Sequence, residues 1–537
     1  MTADPESLLS LLGRGHGTIV EAFEARARQT PTRNFLFWQD LTWTYGEALV
    51  RIREVAACFN SAATPDRPRV AMYLPNCPEA MWTWLGCMFA GRVLVALNRK
   101  HRGMLLCDML HRSHASVLVT ESSAWPELAS ADLTGFATVV FTDVVPDRAC
   151  VDDTVRMLQF AEIRVARATP GSTISSDSTA CLMFTSGTTG RSKAVQVLHN
   201  QYVRGAGRLV DGYGLLADDV FHNWLPLYHL AGQLHMTMTA VVCGGAVALQ
   251  PTFSASRFRD EIRSRNCSVL CGFAAILHFI WALPPEADDA LSPLRVGIFA
   301  GIPPELHRPF ECRFGMRLGE NYGMTEVDPV TLPEPGVDTP PASCGRPSAD
   351  VEVAIVDDRD VPLPSGQLGE ICVRPRTPGV LTPGYENDAE ASLRAFRNLW
   401  FHTGDYGVVD EEGFLYFRGR AGHYVRRRGE NVSTAELESI ILRHPDVAEC
   451  AVVGVPSPLG EDDIKTVVVI RLGAAVSPAQ IHAYASARMA AFMVPRFIEF
   501  MSELPRGDLG KVQTHTLRGI TPSTWDAEAF CERDKHA

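Results

Sequence analysis

The sequence predicts an α/β protein: a large N-terminal domain of layered α/β sheets with a β subdomain, then a small α+β C-terminal domain. Three observations lead there. Short runs of β-type residues alternate with helical segments through the first half of the chain, which implies sheets with helices on both faces. At 537 residues the chain exceeds what one hydrophobic core organises, so two or more domains are expected. Composition shifts just past Arg420, at Ala421-Gly422-His423-Tyr424, and a fresh set of short elements begins. The boundary is placed there, giving domains 1–420 and 421–537.

The elements follow in order. Residues 19–28 have helical apolar spacing, and Thr44 with Glu47 three positions on is a helix-start signature. Residues 70–74, 93–97, 116–120 and 138–142 read as strands, with helices at 78–89 and 103–111 between them. Pro78 opens its helix, where a missing N–H is tolerated. The apolar run 180–184 reads as a buried strand. Residues 219–233 read as a strand that ends at Pro226 and delivers Tyr228 and His229 to the mouth of the sheet, where open α/β sheets place ligands. Strands follow at 268–272 and 296–301. Residues 236–249 are too few to span a bilayer and read as a core helix and strand. Residues 351–373 alternate about turns at 357–360 and 364–366, the pattern of a small antiparallel β subdomain. Past the boundary, Ser433 and Glu436 mark a helix start. Strands at 447–455 and 466–471 and helices around 481–489 complete the C-terminal domain.

Composition excludes some classes. A net charge of −12 argues against nucleic acid or an anionic membrane as partner. The 14 cysteines are scattered without a C-x-x-C pair, and the first residues are acidic, so reduced thiols and a cytoplasmic location are expected, with no membrane span. Only five of the 50 basic residues are lysines: Lys100, Lys193, Lys465, Lys511 and Lys535. In a chain that uses arginine nearly everywhere, a retained lysine points to a place that needs a compact ammonium.

The chemistry begins at FTSGTTGRSKAV, residues 184–195. Thr185, Ser186, Gly187, Thr188, Thr189 and Gly190 form a run of hydroxyls and glycines behind a buried strand, and Lys193 closes it. Glycines let successive N–H groups converge on one anion, hydroxyls add donors, and the lysine adds charge. This is a phosphate-gripping loop without Walker A spacing. GENYGMTE, residues 319–326, offers a flat aromatic face at Tyr322, a hydroxyl at Thr325 and a hard oxygen ligand at Glu326. Asp405, in WFHTGDYG, is a natural bidentate acceptor for a diol. Arg426, Arg427 and Arg428 make a basic run before Gly429 and Glu430, either a phosphate contact or a solvated face.

In this order, and over residues 40–520, the motifs resemble the adenylate-forming superfamily of acyl-CoA ligases, stand-alone adenylation domains and luciferases. PLYHLAGQ and RRRGENVSTAELE are nearest in flavour to ligases of the carnitine/crotonobetaine type. The resemblance implies that Thr185, Lys193 and Glu326 act in catalysis, Glu326 as a Mg²⁺ ligand. It implies that Ser186, Gly187, Thr188, Thr189, Gly190, Gly301, Glu320, Asn321, Tyr322, Gly323, Thr325, Asp405 and Arg420 bind nucleotide. His229, Gly301 and Tyr322 would line the acyl pocket, and Arg428, Gly429 and Glu430 would face CoA. Gly422 would be the hinge of a mobile C-terminal domain carrying Lys511, whose ammonium bridges the substrate carboxylate and the α-phosphate. ATP/AMP, Mg²⁺ and coenzyme A are the implied cofactors, with a small-molecule carboxylic acid and CoA as reaction partners. A homodimer is left open.

The implied reaction is acyl-AMP formation followed by acyl transfer to CoA. Ser192 and Ala194 replace the family's usual proline and glycine around Lys193, and Ile302 adds bulk beside Gly301. If residue 194 requires a left-handed backbone, alanine strains it. These departures leave three alternatives: thioesterification of a supplied acyl-AMP only, loading of a carrier protein, or a silent nucleotide- or acyl-binding paralogue.

Overall fold

The computed structural model describes residues 17–64, 66–129, 131, 133–146, 155–163, 174–185, 192–357, 359–420, 424–427, 430–457, 461–505, 512 and 514–529. They fall into two compact units. One takes the described parts of Met1–Arg99, Cys107–Phe184 and Ala194–Arg418; the other takes those of Lys100–Leu106, Thr185–Lys193 and Gly419–Ala537.

The first unit opens with helix Ile19–Gln29, strands β1 (Asn34–Trp38) and β2 (Leu41–Thr44), and helix Tyr45–Ala62. The Thr44–Glu47 capping box is present: the Thr44 hydroxyl accepts the Glu47 amide and the Glu47 carboxylate accepts the Thr44 amide. Next come β3 (Arg69–Met72), β4 (Val93–Ala96), β5 (Ala115–Thr120), β6 (Thr138–Phe141), β7 (Arg156–Gln159), β8 (Thr179–Thr185) and β9 (Lys193–Leu198). They make a sheet ordered β7-β6-β5-β3-β4-β8-β9, parallel from β7 through β8. Every residue of β5 and β6 is buried, as both-faced packing requires. Helix Pro78–Phe89 falls on the expected residues, and helix Gly103–Ser113 runs two residues further than expected.

A second sheet uses β10 (Val220–Asn223), β11 (Ala246–Leu249), β12 (Val269–Phe273), β13 (Val296–Ala300) and β14 (Arg317–Glu320). Its order is β14-β13-β12-β10-β11-β1-β2, parallel except for the β1–β2 hairpin. The β10 strand stops at Asn223 instead of Pro226. Proline has no ladder N–H to give, and the Pro226 carbonyl instead accepts the His229 amide in a turn. The run after it is a π-helix, Gly232–Met238, continued by helix Thr239–Cys243. The Gly232 carbonyl takes side-chain bonds from Asn223 Nδ2 and Thr237 Oγ1, support that a plain α-helical reading omits.

Short strands β15 (Thr331–Leu332) and β16 (Arg346–Pro347) pair beyond β14. The β subdomain is an antiparallel sheet of β17 (Val351–Val356), β18 (Gly369–Pro375), β19 (Phe396–Arg397), β20 (Trp400–Val409) and β21 (Leu415–Arg420). As the alternation suggested, a turn follows Asp357, whose carboxylate accepts the amides of Arg359 and Val361.

In the second unit, β22 (Tyr424–Arg427) and β23 (Glu430–Ser433) form a ribbon leading to helix Thr434–Ile441. The Ser433 side chain, the expected cap, lies outside the described residues. A sheet follows, ordered as β24 (Val447–Pro456), β25 (Asp462–Ile470), β26 (Phe497–Phe500) and β27 (Trp525–Asp526). One face packs Ile464 and Val468 on Leu437, Ile441 and Ile481. The other packs Val467 with Ala451, Val453, Leu504 and Leu517. Among the described residues no helix is long and apolar enough to cross a membrane.

Candidate active site

The C-terminal ends of β13 and β14 build the centre of the site in the first unit. Gly301, just past β13, has φ +70°, and a Cβ there would meet nothing closer than Ala274 at 4.0 Å. Conformation, not space, therefore demands glycine. The neighbouring strand ends at Glu320, whose carboxylate accepts the amides of Gly301 at 2.8 Å and Ile302 at 3.1 Å. Glu320 is buried, so its charge is spent on fixing this turn. It was expected among nucleotide contacts; its two bonds to Gly301 and Ile302 fix the turn after β13. Ile302 is buried as well.

The chain then crosses the site as Asn321 to Glu326. Asn321 Oδ1 accepts the Tyr213 hydroxyl at 3.2 Å. The Tyr322 hydroxyl donates to Asp405 Oδ2 at 2.7 Å, and its ring stacks on Phe417 with centroids 5.9 Å apart. Tyr322 and Asp405 are both buried. At Gly323 a Cβ would come to 2.4 Å of Asp328 Oδ1, so a side chain there would displace the aspartate. Met324 and Val327 exchange both backbone hydrogen bonds, at 2.9 and 3.0 Å. This tight turn holds Thr325 and Glu326 at its tip.

Glu326 is held from three directions. Its carbonyl accepts Gln201 Nε2 at 2.9 Å and the Thr382 amide at 2.8 Å. Its Oε1 accepts the Tyr385 hydroxyl at 3.0 Å. Tyr385 sits in a segment that runs beside β9: the Gln196 amide donates to the Gly384 carbonyl and the Glu386 amide to the Ala194 carbonyl. Sequence reasoning missed Tyr385, Gln201 and Phe417. The Pro-Gly-Tyr signal at 383–385 marks a turn carrying an aromatic, but nothing local says that it faces Glu326.

Asp405 is positioned by the turn before it. Gly404 has φ +72°, and its amide donates to Glu370 Oε1 at 3.0 Å. The Asp405 amide donates to the Thr403 hydroxyl at 3.0 Å. Glu370 Oε2 meets His402 Nδ1 at 2.9 Å, and Cys372 Sγ lies 3.3 Å from the same nitrogen. These three side chains are spaced as metal ligands are. Arg397 brings its guanidinium within 2.9 Å of that imidazole nitrogen, however, and a fixed positive charge there opposes a cation. The cluster serves as a brace for Gly404.

At the position expected to line the acyl pocket, the His229 ring lies against Tyr228 with centroids 4.8 Å apart. His235, in the π-helix, meets Asp328 Oδ2 at 2.9 Å. Burial works against its charge, yet the Asp328 carboxylate outweighs burial and holds the imidazole up to about 10.

The phosphate loop is framed but not described: β8 ends at Thr185, β9 starts at Lys193, and Ser186, Gly187, Thr188, Thr189 and Gly190 lie outside the described residues. So do Gly422, Arg428, Gly429, Lys511 and the Arg420 side chain. Glu430 is buried in β23. Residue 194 does not require the left-handed backbone that would strain an alanine: it is an ordinary buried strand residue without positive φ.

Comparison with known proteins agrees with this arrangement. The model of the AMP-binding enzyme family matches residues 23–385, and that of the AMP-binding enzyme C-terminal domain matches residues 436–511. A crotonobetaine/carnitine–CoA ligase of Salmonella agona (strain SL483) is 31% identical over 508 residues, 90% of this chain and 98% of that protein. A solved o-succinylbenzoate CoA synthetase double mutant of Bacillus subtilis, bound with a product analogue, is 25% identical with TM-score 0.81 over 94% of this chain and 99% of that one. ATP-bound MatB from Rhodopseudomonas palustris is 26% identical with TM-score 0.67, covering 93% of this chain and 98% of that one. With the nucleotide-site motifs converging as described, the chain is a member of the AMP-binding enzyme family, within the adenylate-forming superfamily.

Proposed function

We propose that this protein is an AMP-forming acyl-CoA ligase. It joins a carboxylic acid to AMP at the expense of ATP, releasing pyrophosphate, and then transfers the acyl group to the thiol of CoA with release of AMP. The observation that carries the reading is the convergence of Tyr322, Asp405, Glu326 and the strand leaving the phosphate loop, brought together from four separate stretches of sequence.

In this reading adenine lies against the Tyr322 ring and the turn at Gly301, and the ribose diol bonds to Asp405. Thr325 donates to the α-phosphate, and the loop of Thr185 to Lys193 holds the outer phosphates. Arg420 assists at the ribose. The carboxylate attack brings two anions together, so charge must be neutralised before they meet. Glu326 suits a magnesium ion: it is a buried hard oxygen donor, oriented by Tyr385, and would hold the ion beside the nucleotide phosphates. When bound, the ion neutralises phosphate charge. Lys193 and Lys511 supply the protein's own positive charge, Lys511 at the reacting carboxylate. The C-terminal domain turns about Gly422 between half-reactions and presents Arg428, Gly429 and Glu430 to CoA. His229, Gly301 and Tyr322 bound the acyl pocket. The curated relatives are named for crotonobetaine and carnitine, so short polar acids of that kind head the list of substrates to try.

The test is thioester formation by mass spectrometry from a panel of acids with MgATP and CoA. Each acid is paired with its pre-made acyl-AMP and CoA, without ATP. Thioester from both routes is expected. Product from acyl-AMP alone would reduce the protein to a thioesterifying enzyme. No product by either route, with no pyrophosphate released, would overturn the ligase reading.

A further inference from the structure

Lys465 is one of only five lysines, and it lies in the second unit and carries none of the roles assigned above. Its side chain on β25 is only 2% exposed. Strand alternation puts it on the face that carries Val467 and Val469, the face covered by Leu504, Val512 and Leu517. Glu499 sits beside it on the parallel neighbour β26, where it pairs in register with Val467. The ammonium bridges Glu499 Oε2 and the carbonyl of Gly519. Glu499 is then saturated from the chain that follows. The hydroxyls of Thr521 and Ser523 donate to its Oε1, and the hydroxyl of Thr524 to its Oε2. Burial pushes the carboxyl up, but Lys465 and these hydroxyls hold it down to about 2.

Among the described residues, every other partner of these two buried side chains belongs to residues 519–524, the segment entered soon after Lys511 in the sequence. On the upstream side, Leu504 is buried against the same face as Leu517. A buried charge pair is a weak device for stability alone, because desolvation offsets most of its attraction. Its value lies in fixing geometry, and what it fixes is the segment 519–524, next to Leu517, which shares its face with Val512, the residue after Lys511 in the chain.

We infer that Lys465 and Glu499 are positioning residues for acyl-AMP formation, acting through the anchored segment 519–524 and the Val512–Leu517 face on the step that needs Lys511. This rests on the proposed role of Lys511 in adenylation. Lys465 touches no reacting atom; it acts through the backbone at Gly519.

The test compares Lys465→Met and Glu499→Gln with the parent and with Lys511→Ala, all in the full chain. Acyl-AMP formation from MgATP is measured with the most active acid of the panel. Thioester formation is measured from that acid's pre-made acyl-AMP with CoA. Tryptic cleavage after Arg506 and Lys511, followed by mass spectrometry without substrate, supplies a third readout. Lys465→Met is expected to slow acyl-AMP formation tenfold or more through kcat, with KM for ATP and the second half-reaction within twofold of the parent. Cleavage at the two tryptic sites is expected to quicken ahead of cleavage elsewhere. Adding Lys465→Met to Lys511→Ala should slow acyl-AMP formation no further, and Lys465→Arg should recover part of the rate. Equal loss in both half-reactions, or no loss in the first, overturns the proposal. If Lys511→Ala leaves adenylation intact, the role of Lys511 falls by itself, and an unchanged tryptic map then overturns the anchoring too. If Lys465→Met fails to fold, Glu499→Gln, which keeps the shape and the hydrogen-bonding reach, is judged on the same three readouts.

Discussion

Replacing Tyr385 by phenylalanine removes one hydroxyl and leaves the ring in place. The lost bond is the 3.0 Å donation to Glu326 Oε1, between two buried side chains. The main chain at Glu326 stays fixed, because Gln201 Nε2 and the Thr382 amide still hold its carbonyl. Among the described groups, the perturbation falls on the orientation of the Glu326 carboxylate. A hydrogen bond to a charged group contributes about 1.5–3 kcal/mol. If that energy serves to aim the carboxylate at a cation, its loss weakens the cation site by about 10- to 150-fold, at 1.4 kcal/mol per factor of ten. The assay is pyrophosphate release as a function of Mg²⁺ at saturating ATP and acid. The half-saturating Mg²⁺ concentration should rise about tenfold, the lower end of that range, since phosphate oxygens share the coordination. Thioester formation from pre-made acyl-AMP, which needs no pyrophosphate departure, should be unchanged. A half-saturating concentration within twofold of the parent, with the melting temperature preserved, would refute the assignment of Tyr385 and weaken that of Glu326.

Other outcomes follow from the same geometry. Gly301→Ala meets no obstructing atom and should cost about 1 kcal/mol, the strain of a left-handed alanine, seen as a melting shift of about one degree in a domain of this size together with weaker AMP binding by calorimetry. Glu320→Ala strips the acceptor from the amides of Gly301 and Ile302 and leaves the buried Ile302 donor unsatisfied at about 1–3 kcal/mol; the AMP affinity should fall further than in Gly301→Ala. Asp350 is opposed by burial, but hydrogen bonds from Arg208, Arg204 and Thr377 pull its carboxyl down to about 2. Its stabilisation is therefore present above the ordinary aspartate range and is lost as pH falls from about 4 towards 2. Asp350→Asn should lower the melting temperature at pH 7 and differ least from the parent near pH 2, measured by thermal scans across that interval.

The strands, most helices and the nucleotide motifs were legible in the sequence, because each is written in local terms. Alternation marks the β subdomain, unbroken apolar runs mark β5 and β6, and Thr44 with Glu47 marks a helix start regardless of its neighbours. The motifs at Gly319–Glu326 and around Asp405 likewise carry their chemistry in consecutive residues. What sequence could not supply is which distant groups meet. Tyr322 and Asp405 are 83 positions apart, Tyr385 and Glu326 are 59, and Gln201 and Glu326 are 125. Those meetings are set by the order of strands in the sheets and by the turns between them, and local periodicity does not encode that order. The same holds for further contacts beyond the reach of local pattern. Glu320 is an acceptor for a neighbouring strand's loop, and the π-helix at Gly232–Met238 is backed by Asn223 from another element. Ala194 escapes strain because β9 has already begun there. Sequence determined the elements and the chemical inventory of this protein; only tertiary packing decided which side chains hold which others in place, because those bonds form between groups that the chain itself keeps far apart.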